Sequence, residues 1–153
     1  MTTRTRSTLW TVLALVTAAT MAQAAGPSPA QTPQDASASS VKVTVTYNGK
    51  GTVDGSHQLW IWLFATPDIG PGAIPIAEMS LDKNGATATF ASVSADKVWI
   101  AVAFDEGGGF GGSAPPPSKS PVALHMDASG PVGVAPGPKA AVTITFDDSQ
   151  RMP

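Results

Sequence analysis

Two segments of this chain, residues 58–65 (Gln-Leu-Trp-Ile-Trp-Leu-Phe-Ala) and 97–105 (Lys-Val-Trp-Ile-Ala-Val-Ala-Phe-Asp), are apolar at both odd and even positions. Successive side chains of an extended strand project to opposite faces. Leu59, Ile61 and Leu63 therefore point one way while Trp60, Trp62 and Phe64 point the other. In the second segment Val98, Ile100, Val102 and Phe104 oppose Trp99, Ala101 and Ala103. Both segments are short and bounded by turn formers, which suits strands rather than helices. A strand that is apolar on both faces has to be covered on both faces, so these two belong in the middle of a layered structure.

The other segments read as strands with one buried face. Residues 41–47 and 140–146 alternate apolar and polar, placing Val142, Ile144 and Phe146 inward and Thr143 and Thr145 outward. Residues 74–81 form a further strand, at an edge because Pro75 has no N–H to donate to a ladder. The turn at 82–85 then makes residues 86–91 a hairpin partner for it, and 122–126 offer one more short strand. Asn48-Gly49 is a tight-turn signal, since both residues tolerate positive φ. Loops rich in Gly and Pro fill 66–73, 106–121 and 127–139. No 3.6-residue pattern occurs after residue 40. The reading is all-β: a single Greek-key-like β-sandwich of about seven strands over residues 41–149, with a polar tail at 150–153 and a closed barrel as the alternative.

The N-terminus reads as an export signal over residues 1–24. Arg4 and Arg6 give a positive start, residues 9–19 an apolar stretch, and Ala22-Gln23-Ala24 a small-x-small cleavage site. A retained N-terminal anchor is the competing reading; no later run approaches the ~20 apolar residues of a membrane span. Residues 25–40, with no large apolar side chain, read as a disordered Pro/Ser/Ala linker. Without Arg4 and Arg6 the nine basic residues fall to seven against eleven acidic ones, a net charge of −4. That balance argues against nucleic acid and against a polybasic lipid-binding patch. With no cysteine, the chain has neither disulfides nor a thiolate metal site, which fits a secreted or periplasmic bacterial protein.

Three features carry a family likeness. An opening strand runs into a glycine turn (41–51), an apolar strand ends near a proline (59–67), and a Thr/Phe strand feeds one that ends in Phe104-Asp105 (84–105). In this order the chain resembles the prealbumin-like sandwiches, that is, the transthyretin-like and carboxypeptidase-regulatory-like modules of exported bacterial proteins. The resemblance implies an accessory, adhesive or ligand-holding unit and no particular site residues. Trp99 stands where such modules carry a tyrosine, and the loop after Glu106 is longer than a minimal module requires.

Several groups are candidates for chemistry. With strands 98–105 and 140–147 as neighbours running the same way, Asp105, Glu106, Asp147 and Asp148 gather at one end, where hard oxygen ligands suit Ca²⁺. The alternative is that they are solvated strand ends. Trp60, Trp62 and Trp99 form either a sugar-stacking platform or core. Phe110, alone among glycines, either anchors its loop or reaches a partner. His57 and His125 with Met79, Met126 and Met152 have the donor types of a copper site but not the spacing. No G-x-S-x-G, H-E-x-x-H or P-loop motif is present. The expectation is a non-enzymatic exported module that presents loops 66–73 and 105–121 to a protein or glycan at the cell envelope, with no resident cofactor. The alternative is an extracytoplasmic metal-binding protein or hydrolase using the acidic strand ends. A free edge strand leaves the oligomeric state open.

Overall fold

A computed structural model describes residues 39–70, 72–112 and 115–153. The signal segment and nearly all of the linker lie outside the described residues. Among the described residues there is no helix. The strands are β1 (Val41–Tyr47), β2 (Leu59–Phe64), β3 (Ala77–Leu81), β4 (Thr87–Phe90), β5 (Trp99–Phe104), β6 (Val122–Leu124), β7 (Met126–Asp127), β8 (Gly130–Pro131) and β9 (Ala141–Phe146).

They form two main sheets and a two-stranded ribbon. The first sheet runs β4-β1-β9, with β1 antiparallel to β4 and parallel to β9. The second runs β3-β2-β5-β6 and is antiparallel throughout. The two sheets face each other across one core. Val41, Val43, Val45, Ala88, Phe90, Val142, Ile144 and Phe146 come from the first, and Leu59, Ile61, Leu63, Val98, Ile100, Val102 and Phe104 line the second. In β1 and β9 the buried positions alternate with exposed or half-buried ones, as the sequence period demands. In β2 and β5 nearly every position is buried, so the doubly apolar strands do hold the centre of the four-stranded sheet.

Two expectations need correction. Residues 86–91 are not the hairpin partner of 74–81, because β3 and β4 lie in different sheets. The turn between them is instead bound to β1. Asn84 Oδ1 accepts the Tyr47 N–H at 2.7 Å, and its Nδ2 donates to the Tyr47 carbonyl at 2.7 Å. Gly85 N–H then donates to the Val45 carbonyl at 2.9 Å. Next, β5 and β9 are not sheet neighbours; β9 lies beside β1, and β5 lies between β2 and β6. Both ends of the described domain make backbone contacts. Ser39 and Ser40 belong to the domain, since their carbonyls accept the N–H groups of Val93 and Gly137 at 2.8 and 2.9 Å. The tail is also paired: Val122 N–H donates to Gln150 O at 3.0 Å, and Met152 N–H to Ser120 O at 2.9 Å.

The inward and outward faces of β9 can be tested directly. Ile144→Ala removes a buried side chain and is expected to cost about 2–5 kcal/mol. Thr143→Ala, on the exposed face, should stay within about 0.5 kcal/mol. Urea unfolding of the two variants reads the difference, and equal costs would mean that the register of β9 is shifted by one residue.

Candidate functional site

The outer face of the four-stranded sheet is built from the second set of apolar side chains. Trp60 lies opposite Ala103 and Trp62 opposite Ala101 in the β2–β5 register. The small alanines leave room for the two indoles, which lie 6.4 Å apart and 21° from parallel. Trp62, Phe64, Ala101 and Ala103 are buried, with Trp60 half-buried beside them. Two loops supply the cover. Ile69 and Ala73 come from the β2–β3 connection, and Phe110 comes from the loop after β5. Trp99 pairs with Phe64 at the other end of the ladder and does not join the Trp60/Trp62 group.

The loop after β5 is fixed from its first residue. Asp105 is only 4% exposed. Its N–H donates to Gln58 O at 2.9 Å. Its Oδ1 accepts the Gly108 N–H at 2.9 Å, and Oδ2 accepts the Phe110 N–H at 2.8 Å. Phe110 is thereby set edge-on to both tryptophans, with ring centroids 5.4 Å from Trp60 and 6.1 Å from Trp62. Two residues on, Gly112 has φ 87° and lies against the Trp60 ring with no room for a Cβ. Its carbonyl accepts the Trp62 Nε1–H at 2.9 Å. The Trp60 Nε1–H, by contrast, is buried without an acceptor among the described residues. An unpaired buried donor of this kind costs on the order of 1–3 kcal/mol.

Beside the aromatic face a cleft of about 440 Å³ opens between residues 105–110 and 117–120, with Phe110 as one of its walls. Arg151 clamps the two sides of this cleft together. Its Nη1 donates to Glu106 Oε2 at 2.6 Å and to Lys119 O at 2.7 Å, and Nη2 lies 3.2 Å from Asp148 Oδ1. The hydrogen bond with Glu106 is the main reason that the guanidinium holds its proton more tightly than usual.

Glu106 and Asp148 are thereby joined through Arg151, across the sandwich rather than along a sheet. The Tyr47 ring stacks on Phe104 at 4.4 Å and touches Phe146 at 5.1 Å, so β1, β5 and β9 all end at the same place. Each carboxylate already has a partner from the chain. Asp105 holds the loop, and Glu106 holds Arg151. Asp147 Oδ1 accepts the Ser149 N–H at 2.8 Å, and Ser149 keeps this carboxyl below the usual range. Asp148 accepts the Tyr47 hydroxyl and the Lys50 N–H, and the tyrosine bond is the main reason its carboxyl is also held low. Burial, then Asp148, pushes the Tyr47 phenol up to about 12.

Among the described residues, no group of three or more His, Asp or Glu side chains is disposed to hold a metal ion. The two histidines are far apart. His57 adjoins Gln58, which bonds Asp105 beyond one end of β5, whereas the His125 N–H donates to Ile100 O near the other end. That separation is about 16 Å at the usual strand rise. His57 is held locally by Asp54, whose Oδ1 accepts its N–H at 2.8 Å and lies 3.1 Å from its Nδ1. No described helix is long and apolar enough to cross a membrane.

Comparison with protein-family models, with curated proteins and with solved structures finds no match to this chain.

Two outcomes follow from this geometry. Tyr47 is the only tyrosine, so its ionisation can be followed alone by the absorbance of tyrosinate. Its phenol is raised in the fold from 10.0 to about 12, so its contribution to stability is complete below pH 10 and is lost as pH rises towards 12. Tyr47→Phe should abolish that alkaline loss, and a tyrosinate midpoint near 10 in the folded protein would contradict the burial described. Asp148 runs the other way. Its contribution is present above the ordinary carboxylate range and is lost as pH falls through its lowered value. The second outcome is a melt in EDTA and then in millimolar Ca²⁺. With all four carboxylates occupied by the chain's own donors, the midpoint is expected not to move. A rise of several degrees that Asp105→Asn removes would instead place a cation at this end, since a ligand of the native state raises the midpoint.

Proposed function

We propose that this domain is an exported, non-enzymatic binding module of the prealbumin-like sandwich type, presenting the β2–β3 loop and the loop after β5 to a protein or glycan of the bacterial cell envelope. The observation that carries this reading is the convergence of both loops on one aromatic face, with Ile69, Ala73 and Phe110 all packed against the cluster that holds Trp62, Phe64, Ala101 and Ala103. Loops held on a rigid sheet are the usual place for recognition. The cleft beside them has the size of a ligand site, at about 440 Å³. Its acidic groups are committed to internal donors, which favours holding a ligand over proton transfer.

The prealbumin-like assignment draws support from the path of the chain. The connections β1–β2, β3–β4 and β4–β5 each cross from one sheet to the other, as a Greek-key sandwich requires. Export draws support from the N-terminal sequence: Arg4 and Arg6, an apolar stretch and an Ala22-Gln23-Ala24 site.

Substitution of the exposed loop residues Glu106, Pro115, Pro117 and Ser118 by alanine tests the reading. The fold should survive, because surface changes cost little. Retention of the protein on isolated cell envelopes should fall about tenfold, equivalent to 1.4 kcal/mol of binding. Unchanged retention by a folded variant would remove these loops as the binding surface.

A further inference from the structure

We infer that the free edge of β9 is a self-association surface, on which a second copy of this chain adds its own β9 antiparallel, centred on Thr143. The surface belongs to the β4-β1-β9 sheet, so it leaves the loops on the other sheet's outer face free.

β9 lies at the end of its sheet, with β1 as its one neighbour there. The parallel ladder decides which of its backbone groups are used. Lys42 N–H donates to Ala140 O at 2.9 Å, and Asn48 N–H to Phe146 O at 2.8 Å. With Lys42 in register with Ala141, these bonds turn the backbone groups of Val142, Ile144 and Phe146 towards β1. Those of Ala141, Thr143 and Thr145 point away from it. These three residues are exposed, and their N–H and C=O groups bond no other described residue.

The other three edges of the two main sheets are each blunted. β4 has only four residues and starts at a bulge, where Val45 N–H donates to Ala86 O at 3.1 Å and Val45 O accepts the Gly85 N–H at 2.9 Å. β3 follows Pro75 and carries the exposed Glu78. β6 is partly covered by the C-terminal residues, through Val122 N–H and Gln150 O. β9 is the longest of the four edge strands, at six residues, and has no proline, no charge and an unbroken register. An uncovered edge of this kind is a template for another strand.

The sequence around β9 selects a second copy of itself as that strand. In antiparallel pairing about Thr143, Ala141 faces the partner's Thr145 and Thr143 faces the partner's Thr143. Each such pair of outward-facing residues exchanges two N–H···O bonds. Lys139, in the turn before β9, and Asp147, directly after it, both lie four residues from Thr143 and are exposed. The same register therefore brings Lys139 opposite the partner's Asp147 at both ends of the ladder. A register shift of two residues in either direction loses one hydrogen-bonded pair and both charge pairs. Opposite charges that meet in one register only are what fixes a register and a partner.

The chain has no cysteine, so a single introduced thiol reports the register. Thr143→Cys should give a disulfide-linked dimer on mild oxidation, because Cα atoms of a hydrogen-bonded antiparallel pair lie about 5.5 Å apart, within disulfide range. Ala141→Cys alone should not link, since its two copies would lie roughly 14 Å apart along the strands. Mixed with the Thr145→Cys variant, it should. Sedimentation equilibrium of the purified full chain should show a reversible dimer. Lys139→Asp turns two attractive contacts into two repulsive ones and should weaken that dimer about tenfold, and adding Asp147→Lys should restore it. Thermal melts followed by circular dichroism report that each variant is folded.

A chain that stays monomeric up to millimolar concentration overturns the proposal, and leaves the β9 edge to another protein's strand or to solvent. So does a dimer that Thr143→Cys does not link, or that Ala141→Cys links equally well. A dimer indifferent to Lys139→Asp would overturn the register.

Discussion

Everything in this domain follows from the need to bury both faces of β2 and β5. One face of the pair is satisfied in the usual way, by a second sheet whose alternating strands β1, β4 and β9 bring Val, Ile and Phe across the core. The other face carries Trp60, Trp62 and Phe64, which are too apolar to leave in water and lie outside the core between the two main sheets. The chain answers with its own loops. A loop can cover an apolar surface only if its backbone polar groups find partners, and that requirement explains Asp105. Buried at the end of β5, its two carboxylate oxygens take the N–H groups of Gly108 and Phe110 and turn a glycine-rich stretch into a defined lid.

The end of the sandwich next to this lid is tied by an aromatic and ionic chain of contacts. Tyr47 stacks between the ends of the two sheets, its hydroxyl meets Asp148, and Arg151 joins Asp148 to Glu106 and to the carbonyl of Lys119. The C-terminal residues thus hold the lid loop closed on its outer side, while Asp105 holds it from within. These contacts are largely exposed, and exposed ion pairs add little stability individually. Their consequence is geometric: one planar guanidinium with several donors fixes the relative position of three chain segments at once.

Much of this was legible in the residues. The periodicity of 41–47 and 140–146 gave the inward sets of β1 and β9 correctly, and the doubly apolar character of 58–65 and 97–105 placed β2 and β5 at the centre of a sheet. Proline at 75 rightly marked β3 as an edge, although the strand begins only at Ala77. What periodicity does not carry is which strand pairs with which. The turn at 82–85 looks like a hairpin turn, yet Asn84 bonds the backbone of Tyr47 and carries the chain to the other sheet. The roles of Arg151 and Tyr47 were hidden for the same reason. Their partners lie 45 and 101 residues away in sequence, and no local pattern signals a contact of that range.

The sequence by itself determined the all-β character, the two central strands, and the existence of an aromatic surface in need of cover, because side-chain alternation along a strand is a local property. Only the tertiary structure decided what covers that surface, which carboxylates are occupied, and that one indole N–H is paired while its neighbour finds no acceptor among the described residues. Those outcomes depend on how segments distant in the chain meet, and their physical cause is the obligation of each buried donor and acceptor to find a partner in three dimensions.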